Sequence, residues 1–149
     1  MSERFAGKVQ TSSNLAEAKI AANKAEIHVS NRSFLGGDME QMQELCARIG
    51  HEIGAQIEVR DGYPGWEPRA VSPLLEKTVA AFRANGLEPK VEVVHAGLEC
   101  GLLSEKIPDL DAVSFGPLIR GAHTPEEWVS ISSTEQIWQV LKTLLRDLA

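Results

Sequence analysis

The residues best suited to chemistry in this sequence lie in the segment from His95 to Pro125. It carries two of the four histidines and one of the two cysteines. His123 follows Gly121-Ala122 and is soon followed by Glu126-Glu127, so its ring nitrogen could bind a metal ion while a neighbouring carboxylate orients the ring. The alternative is an ordinary surface histidine, because a metal site needs several ligands.

Other residues could contribute to a ligand site. His95 and Glu99 flank Gly97, which permits close approach of the backbone to a ligand. A structural interpretation, in which His95 ends a strand and Glu99 caps the next helix, fits equally well. Arg32 lies at the end of a polar strand face with His28. An arginine there could clamp a carboxylate through two hydrogen bonds, although exposed strand arginines are usually solvated.

Composition argues against several classes of function. The chain of 149 residues has a formal net charge of -6, and its acidic and basic residues are scattered along the sequence. It lacks the stripe of basic residues that is typical of nucleic-acid-binding proteins. Cys46 and Cys100 stand apart, which argues against a disulfide or structural-zinc framework and fits a reducing compartment. We interpret Cys100 as a small core residue, since no base partner is identifiable. The sequence has no membrane-span-length apolar run and no signal-peptide core, so we expect a cytoplasmic protein without membrane contact.

The first sixty residues predict the order strand, strand, helix, strand. Residues 9–20 alternate weakly and residues 25–29 alternate clearly, and we interpret them as two strands joined by a turn at Ala22-Asn23-Lys24. Asp38 is a suitable N-cap for a helix that Gly54 closes. The apolar stripe of this helix comprises Met39, Met42, Leu45, Cys46, Ile49 and Ile53. Residues 55–59 alternate again and predict a third strand.

A stretch rich in proline and glycine, residues 61–73, separates this half from the next. Ser72 should cap a helix with Pro73 at its first position. Short buried strands are predicted over residues 91–94 and 110–115, with a short helix over 101–106 between them. Ser132 and Glu135 predict a capping box for the last helix. Alternating strands and helices favour an α/β fold with a parallel or mixed sheet.

Two runs, VVHAGLECGLLSEKIPDLDAVSFGP and IRGAHTPEEWVSISS, resemble the C-terminal end of bacterial aminoacyl-histidine dipeptidases, carnosinase-like members of a zinc-exopeptidase family. The resemblance also covers VQTSSNL, residues 29–33 and YPGWEPRAVSPLL, and so spans nearly the whole chain. It implies a partial zinc-exopeptidase fold, in which part of an α+β lid precedes part of an α/β catalytic domain. Residues 1–61 would be the C-terminal part of the lid, which also mediates dimerisation, and residues 62–149 the C-terminal part of the catalytic domain.

The same resemblance implies roles for individual residues. His123 matches the C-terminal metal-ligand histidine of the family, which binds zinc, with manganese or cobalt as alternatives. Arg32 matches the lid arginine that grips the substrate carboxylate, and Gly97 and Glu99 fall in the stretch that lines the substrate cleft. His95 receives no role. The other ligands and the catalytic glutamate of the family lie in an N-terminal half that this chain does not contain, so no catalytic residue is expected here.

Three functional hypotheses follow. The first is the C-terminal portion of a metal-dependent dipeptidase that hydrolyses Xaa-His dipeptides and is inactive without its N-terminal half. The second is a non-catalytic, self-associating module derived from such a peptidase. The third is a complete small enzyme that uses His95, Glu99 and His123. Half a lid and half a catalytic domain would expose apolar surface, so we expect a homo-oligomer.

Overall fold

The computed structural model describes residues 1–3, 5–60, 62–94 and 98–149, and it confirms the predicted mixture of helices and strands. The chain forms two compact units, a first unit of residues 1–68 with 92–109 and a second unit of residues 69–91 with 110–149. The division into lid and catalytic portions at residue 61 stays a prediction. None of the described helices is long and apolar enough to cross a membrane. The elements are β1 (Thr11–Ala21), β2 (Lys24–Ser33), α1 (Gly36–Glu52), α2 (Pro73–Ala84), α3 (Glu99–Lys106), β3 (Ile119–Arg120), β4 (Trp128–Val129) and α4 (Ile131–Leu148).

In the first unit, β1 and β2 form the predicted antiparallel hairpin. The pairing passes from Leu15 opposite Val29 to Glu17 opposite His28, so Ala16 is an extra, bulged residue. A bulge shifts the alternation of side chains by one residue. It therefore places Leu15 on the same face as Ile20, and it explains why the alternation of β1 is weak in the sequence.

Helix α1 packs against one face of this hairpin. The Asp38 carboxylate accepts hydrogen bonds from Thr11 Oγ1 at 2.6 Å and from Gln10 Nε2 at 2.7 Å. The prediction that Asp38 is the N-cap was wrong, since the cap is Leu35 and has no side-chain bond. Asp38 lies in the first turn of α1, where a carboxylate still interacts favourably with the helix dipole. Its Oδ2 atom accepts both bonds, from the first residue of β1 and the residue before it, and so ties the helix to the hairpin.

The predicted third strand is absent from residues 55–60, which adopt no regular structure. The Ile57 side chain packs instead over Gly50 of α1, where a Cβ atom would collide with it. Hydrophobic alternation indicates a face that packs, but a strand also needs a hydrogen-bonded neighbour. Among the described residues the ladders join only β1 to β2 and β3 to β4.

The same reason applies to the predicted strands at residues 91–94 and 110–115, which were also wrong. Val91 and Val94 are 56% and 45% exposed rather than buried. The parallel or mixed sheet expected from these strands is therefore not formed by the part of the chain that the structure describes. What remains is two antiparallel, two-stranded sheets and four helices in the described residues.

The core of the second unit lies between α2 and α4. Buried Ala81 of α2 meets buried Val140 and Leu144 of α4, and Phe82 contacts Phe115 edge to face at 5.5 Å. The cluster gives residues 110–115 a packing role without strand pairing. It is also the main hydrophobic contact that holds α2 and α4 together.

Serines cap both helices of this unit. Ser72 Oγ accepts from the Leu75 backbone N–H at 3.0 Å, which confirms the predicted cap of α2. For α4 the predicted box of Ser132 and Glu135 was wrong, because Ser130 is the N-cap. Ser130 N–H donates to the Leu118 carbonyl and so continues the β3–β4 pairing. That bond holds Ser130 in the extended conformation an N-cap requires.

Candidate functional site

The predicted site residues fall in both units. Arg32 and Glu99 belong to the first unit and His123 to the second. Gly97, predicted to line the substrate cleft, lies outside the described residues, as does His95.

Arg32 is exposed on β2 and stands directly opposite Ser12 of β1. Within the described part of the chain, its guanidinium has no hydrogen bond or ion pair. A planar guanidinium that is not committed to a structural ion pair can bind a carboxylate through two parallel hydrogen bonds. The position is thus compatible with the predicted carboxylate-binding role.

The register of the β1–β2 pairing determines which β1 residue lies opposite Arg32. Counting back from the turn, where Ala21 pairs with Lys24, would place Ser13 opposite Arg32. The bulge moves the pairing by one, so Ser12 takes that place and Ser13 lies on the face that α1 covers. No signal in the sequence marks Ser12, because the bulge itself is not encoded by a distinctive residue.

Glu99 is the first residue of α3 and is exposed. The prediction that it caps this helix was wrong, since Leu98 is the N-cap and makes no side-chain cap hydrogen bond. The adjoining helical turn is fixed by Gly101, where a Cβ atom would lie 2.8 Å from the Pro64 carbonyl oxygen. Burial, reinforced by the Glu99 charge, raises the pKa of the Cys100 thiol and so disfavours the reactive thiolate.

His123 occupies the loop between β3 and β4 with φ of 66°. Its backbone N–H donates to Glu127 Oε2 at 2.6 Å, and Thr124 Oγ1 donates to the Gly121 carbonyl at 2.7 Å. Residues other than glycine rarely adopt a positive φ, and such positions are frequent at functional sites. Here the hydrogen bonds fix the loop and leave His123 exposed.

The described residues do not by themselves fit a zinc ion. Nowhere in residues 1–3, 5–60, 62–94 and 98–149 do three His, Cys, Asp or Glu side chains form a group able to hold a metal. A zinc site takes at least three protein ligands. His123 and Glu127 supply at most two, and the Glu127 carboxylate already accepts a hydrogen bond from the loop backbone. His123 can therefore be one ligand of a site that other residues complete.

Comparison with known proteins places this geometry in context. No protein-family model matches the chain. The chain is 36% identical over 143 residues to the cytosol non-specific dipeptidase of Escherichia coli, an alignment covering 95% of this chain and 30% of that protein. A relative from Pyrococcus abyssi, named for hydrolysis of LysW-lysine and LysW-ornithine, is 31% identical over 110 residues, or 73% of this chain and 32% of that protein.

The fold gives the same result. The structure matches the crystal structure of aminoacylhistidine dipeptidase from Vibrio alginolyticus with a TM-score of 0.81 and 35% identity, covering 99% of this chain and 30% of that one. The chain thus spans about 30% of the length of these two dipeptidases. The predicted resemblance and the predicted partial peptidase fold are both confirmed. By sequence and by fold, the chain is homologous to these dipeptidases and corresponds to the C-terminal part of such a peptidase.

Proposed function

We propose that the chain is the C-terminal portion of a metal-dependent dipeptidase that hydrolyses Xaa-His dipeptides. The observation that supports this proposal most strongly is the match over 99% of the chain, at a TM-score of 0.81, to an aminoacylhistidine dipeptidase. The E. coli relative is named as non-specific, so the preference for histidine rests on the structural relative alone. A cytoplasmic location is supported by the name of the cytosol dipeptidase.

In this proposal the chain contributes to a site that it does not complete. His123 donates one metal ligand, for zinc or alternatively manganese or cobalt, from a loop that hydrogen bonds fix. Arg32 binds the substrate carboxylate, and Gly97 and Glu99 line the cleft. The remaining ligands and the general base come from an N-terminal half. Because the described residues hold no group of three candidate ligands, we expect the isolated chain to be inactive.

A chimaera provides the test. This chain replaces the matching C-terminal segment of the E. coli cytosol non-specific dipeptidase, and hydrolysis of β-alanyl-histidine and glycyl-histidine is measured with zinc, manganese or cobalt. We expect turnover by the chimaera and none by the isolated chain. Robust turnover by the isolated chain that His123→Ala removes would contradict the proposal. A folded, metal-loaded chimaera that cleaves no dipeptide would contradict it as well.

A further inference from the structure

The hairpin has one face that α1 does not cover. Contacts from α1 reach Thr11 and Asn31, which lie on the opposite face. Four cross-strand pairs of polar residues have their side chains on this uncovered face, which we call the polar face. Its polar pairs, in order away from the α1 end, are Ser12–Arg32, Asn14–Ser30, Glu17–His28 and Lys19–Glu26, and the pair Ala21–Lys24 follows on the same face at the turn.

Charge is distributed unevenly over the polar face. At its outer end Lys19 pairs with Glu17 at 2.9 Å, and Lys24 pairs with Glu26 at 2.6 Å, so the formal charges there cancel. The two inner pairs contain one cation, Arg32, and three neutral side chains, with no carboxylate. This inner half therefore combines a charged donor with hydroxyl and amide donors, and it favours an anion.

We propose that Ser12 is a positioning residue for a carboxylate bound by Arg32. Directly opposed residues of an antiparallel pair have Cβ atoms about 4.5–5.5 Å apart, which brings the Ser12 hydroxyl within reach of the Arg32 side chain. A guanidinium has five donors, of which a bidentate carboxylate uses two. Ser12 accepts one of the others and donates its own proton to the carboxylate, so it both orients the guanidinium and adds a contact.

The identification of that carboxylate as the C-terminal group of a dipeptide rests on the proposed function, whereas the binding chemistry does not. The neighbouring hydroxyl, that of Thr11, has a purely structural role, since it donates to Asp38 and lies 3.0 Å from Ser33 Oγ. Ser12 has no such bond within the described residues, although it lies only one position further along β1. Its hydroxyl is therefore available to a ligand.

The test is an NMR titration of the full chain. The isotope-labelled protein is titrated with N-acetyl-histidine and, separately, with N-acetyl-histidine methylamide, which lacks the carboxylate. We expect the acid to shift the amide signals of Ser12 and Arg32 with a Kd on the order of 10 mM or lower, and the amide to leave them unchanged. Ser12→Ala should weaken binding of the acid about threefold to tenfold, the range for losing one hydrogen bond of ordinary net strength.

Two variants separate positioning from a general effect on the hairpin. Ser12→Thr keeps the hydroxyl and should retain the affinity for N-acetyl-histidine. Ser13→Ala removes a neighbouring hydroxyl from the other face and should leave the Kd unchanged, while the same spectra show whether each variant is folded. Wild-type binding by Ser12→Ala, or equal shifts with the methylamide, would overturn the inference.

The proposed function and the proposed role of Ser12 can be contradicted independently of each other. If N-acetyl-histidine binds in a Ser12-dependent way but the chimaera cleaves no dipeptide, the polar face remains a carboxylate site and the proposed function is wrong. If the chimaera is active and neither its KM nor the titration responds to Ser12→Ala, the proposed function stands and the role of Ser12 is wrong.

Discussion

His123 combines an exposed ring with a backbone conformation that only a few residue types adopt readily. The loop hydrogen bonds come from the backbone of His123 and from Thr124, so they do not depend on the imidazole. Replacement of the imidazole therefore leaves these hydrogen bonds in place while it removes the candidate ligand. This separation makes His123 a suitable residue for testing the metal prediction.

We predict that His123→Ala in the chimaera lowers the bound metal per chain and abolishes turnover, because it removes a direct metal ligand. Metal analysis and steady-state kinetics on the same samples check this. His51→Ala serves as the matched control, since His51 is an exposed histidine in the last turn of α1. Full metal content and normal turnover in His123→Ala would show that the assignment is wrong.

Gly101 allows the packing of a single residue of α3 against Pro64 to be tested. Glycine within a helix is normally less favourable than alanine by about 1 kcal/mol. At Gly101, however, a Cβ atom would lie 2.8 Å from the Pro64 carbonyl oxygen, a backbone atom that cannot easily move away. Gly37 of α1 has no atom within 4 Å of its Cβ position. We predict that Gly101→Ala lowers the urea midpoint of unfolding and that Gly37→Ala raises it. A rise in both would mean that α3 does not pack closely against Pro64 in solution.

At the scale of elements, the hairpin and the helices could be predicted from the sequence, but the absence of the predicted third strand could not. The turn at Ala22-Asn23 and the α1 stripe are local signals, and the structure follows them. Residues 55–60, 91–94 and 110–115 have the composition of strands, yet a strand also depends on a partner elsewhere. Local pattern contains no information on that partner.

The candidate site shows the same limit. His123 and Arg32 could be singled out because their residue types and surroundings suit metal and carboxylate binding. The place of Ser12 beside Arg32 depends on a single bulged residue, Ala16, which reverses the side-chain faces of half a strand. Such a reversal leaves composition and periodicity nearly unchanged, so only the register reveals it.

Asp111 joins residues 110–115 to the start of α2, and its charge should matter for stability. Hydrogen bonds from the Ser72 hydroxyl at 2.6 Å and, less strongly, from the Leu74 backbone N–H at 2.9 Å lower the pKa of the Asp111 carboxyl. A carboxyl whose pKa is lower in the folded state stabilises the fold above its ordinary pKa. This contribution is lost as the pH falls through the lowered value.

We therefore predict that Asp111→Asn lowers the free energy of unfolding by about 1 kcal/mol at neutral pH, the usual size for the loss of a helix-terminus contact. The difference from wild type should shrink as the pH falls below the ordinary aspartate range. Urea unfolding at several pH values measures it, with Asp147→Asn, at an exposed aspartate near the end of α4, as the control. A difference that stayed constant into strong acid would contradict the mechanism.

At the scale of the whole molecule, α4 carries two apolar stripes. The first stripe, with Val140 and Leu144, is buried against α2. On the second stripe, Ile131, Trp138 and Leu145 recur every seven residues and are 86%, 57% and 56% exposed. Seven-residue spacing of large apolar side chains is the pattern by which helices associate in coiled coils. An exposed stripe of this kind favours association, either with a second copy or with the rest of a peptidase.

We predict that the isolated chain self-associates through this second stripe of α4. Light scattering at micromolar concentration should give a mass above that of one 16.3 kDa chain, and Trp138→Glu should reduce it to the monomer by placing a charge in the apolar seam. Gln139→Glu adds the same charge at the adjacent exposed position and should leave the assembly intact. A monomeric wild-type chain would contradict the prediction. If the Trp138→Glu variant is still oligomeric, the contact between copies lies elsewhere on the chain. The outer edges of the β1–β2 hairpin would then be the next surface to mutate.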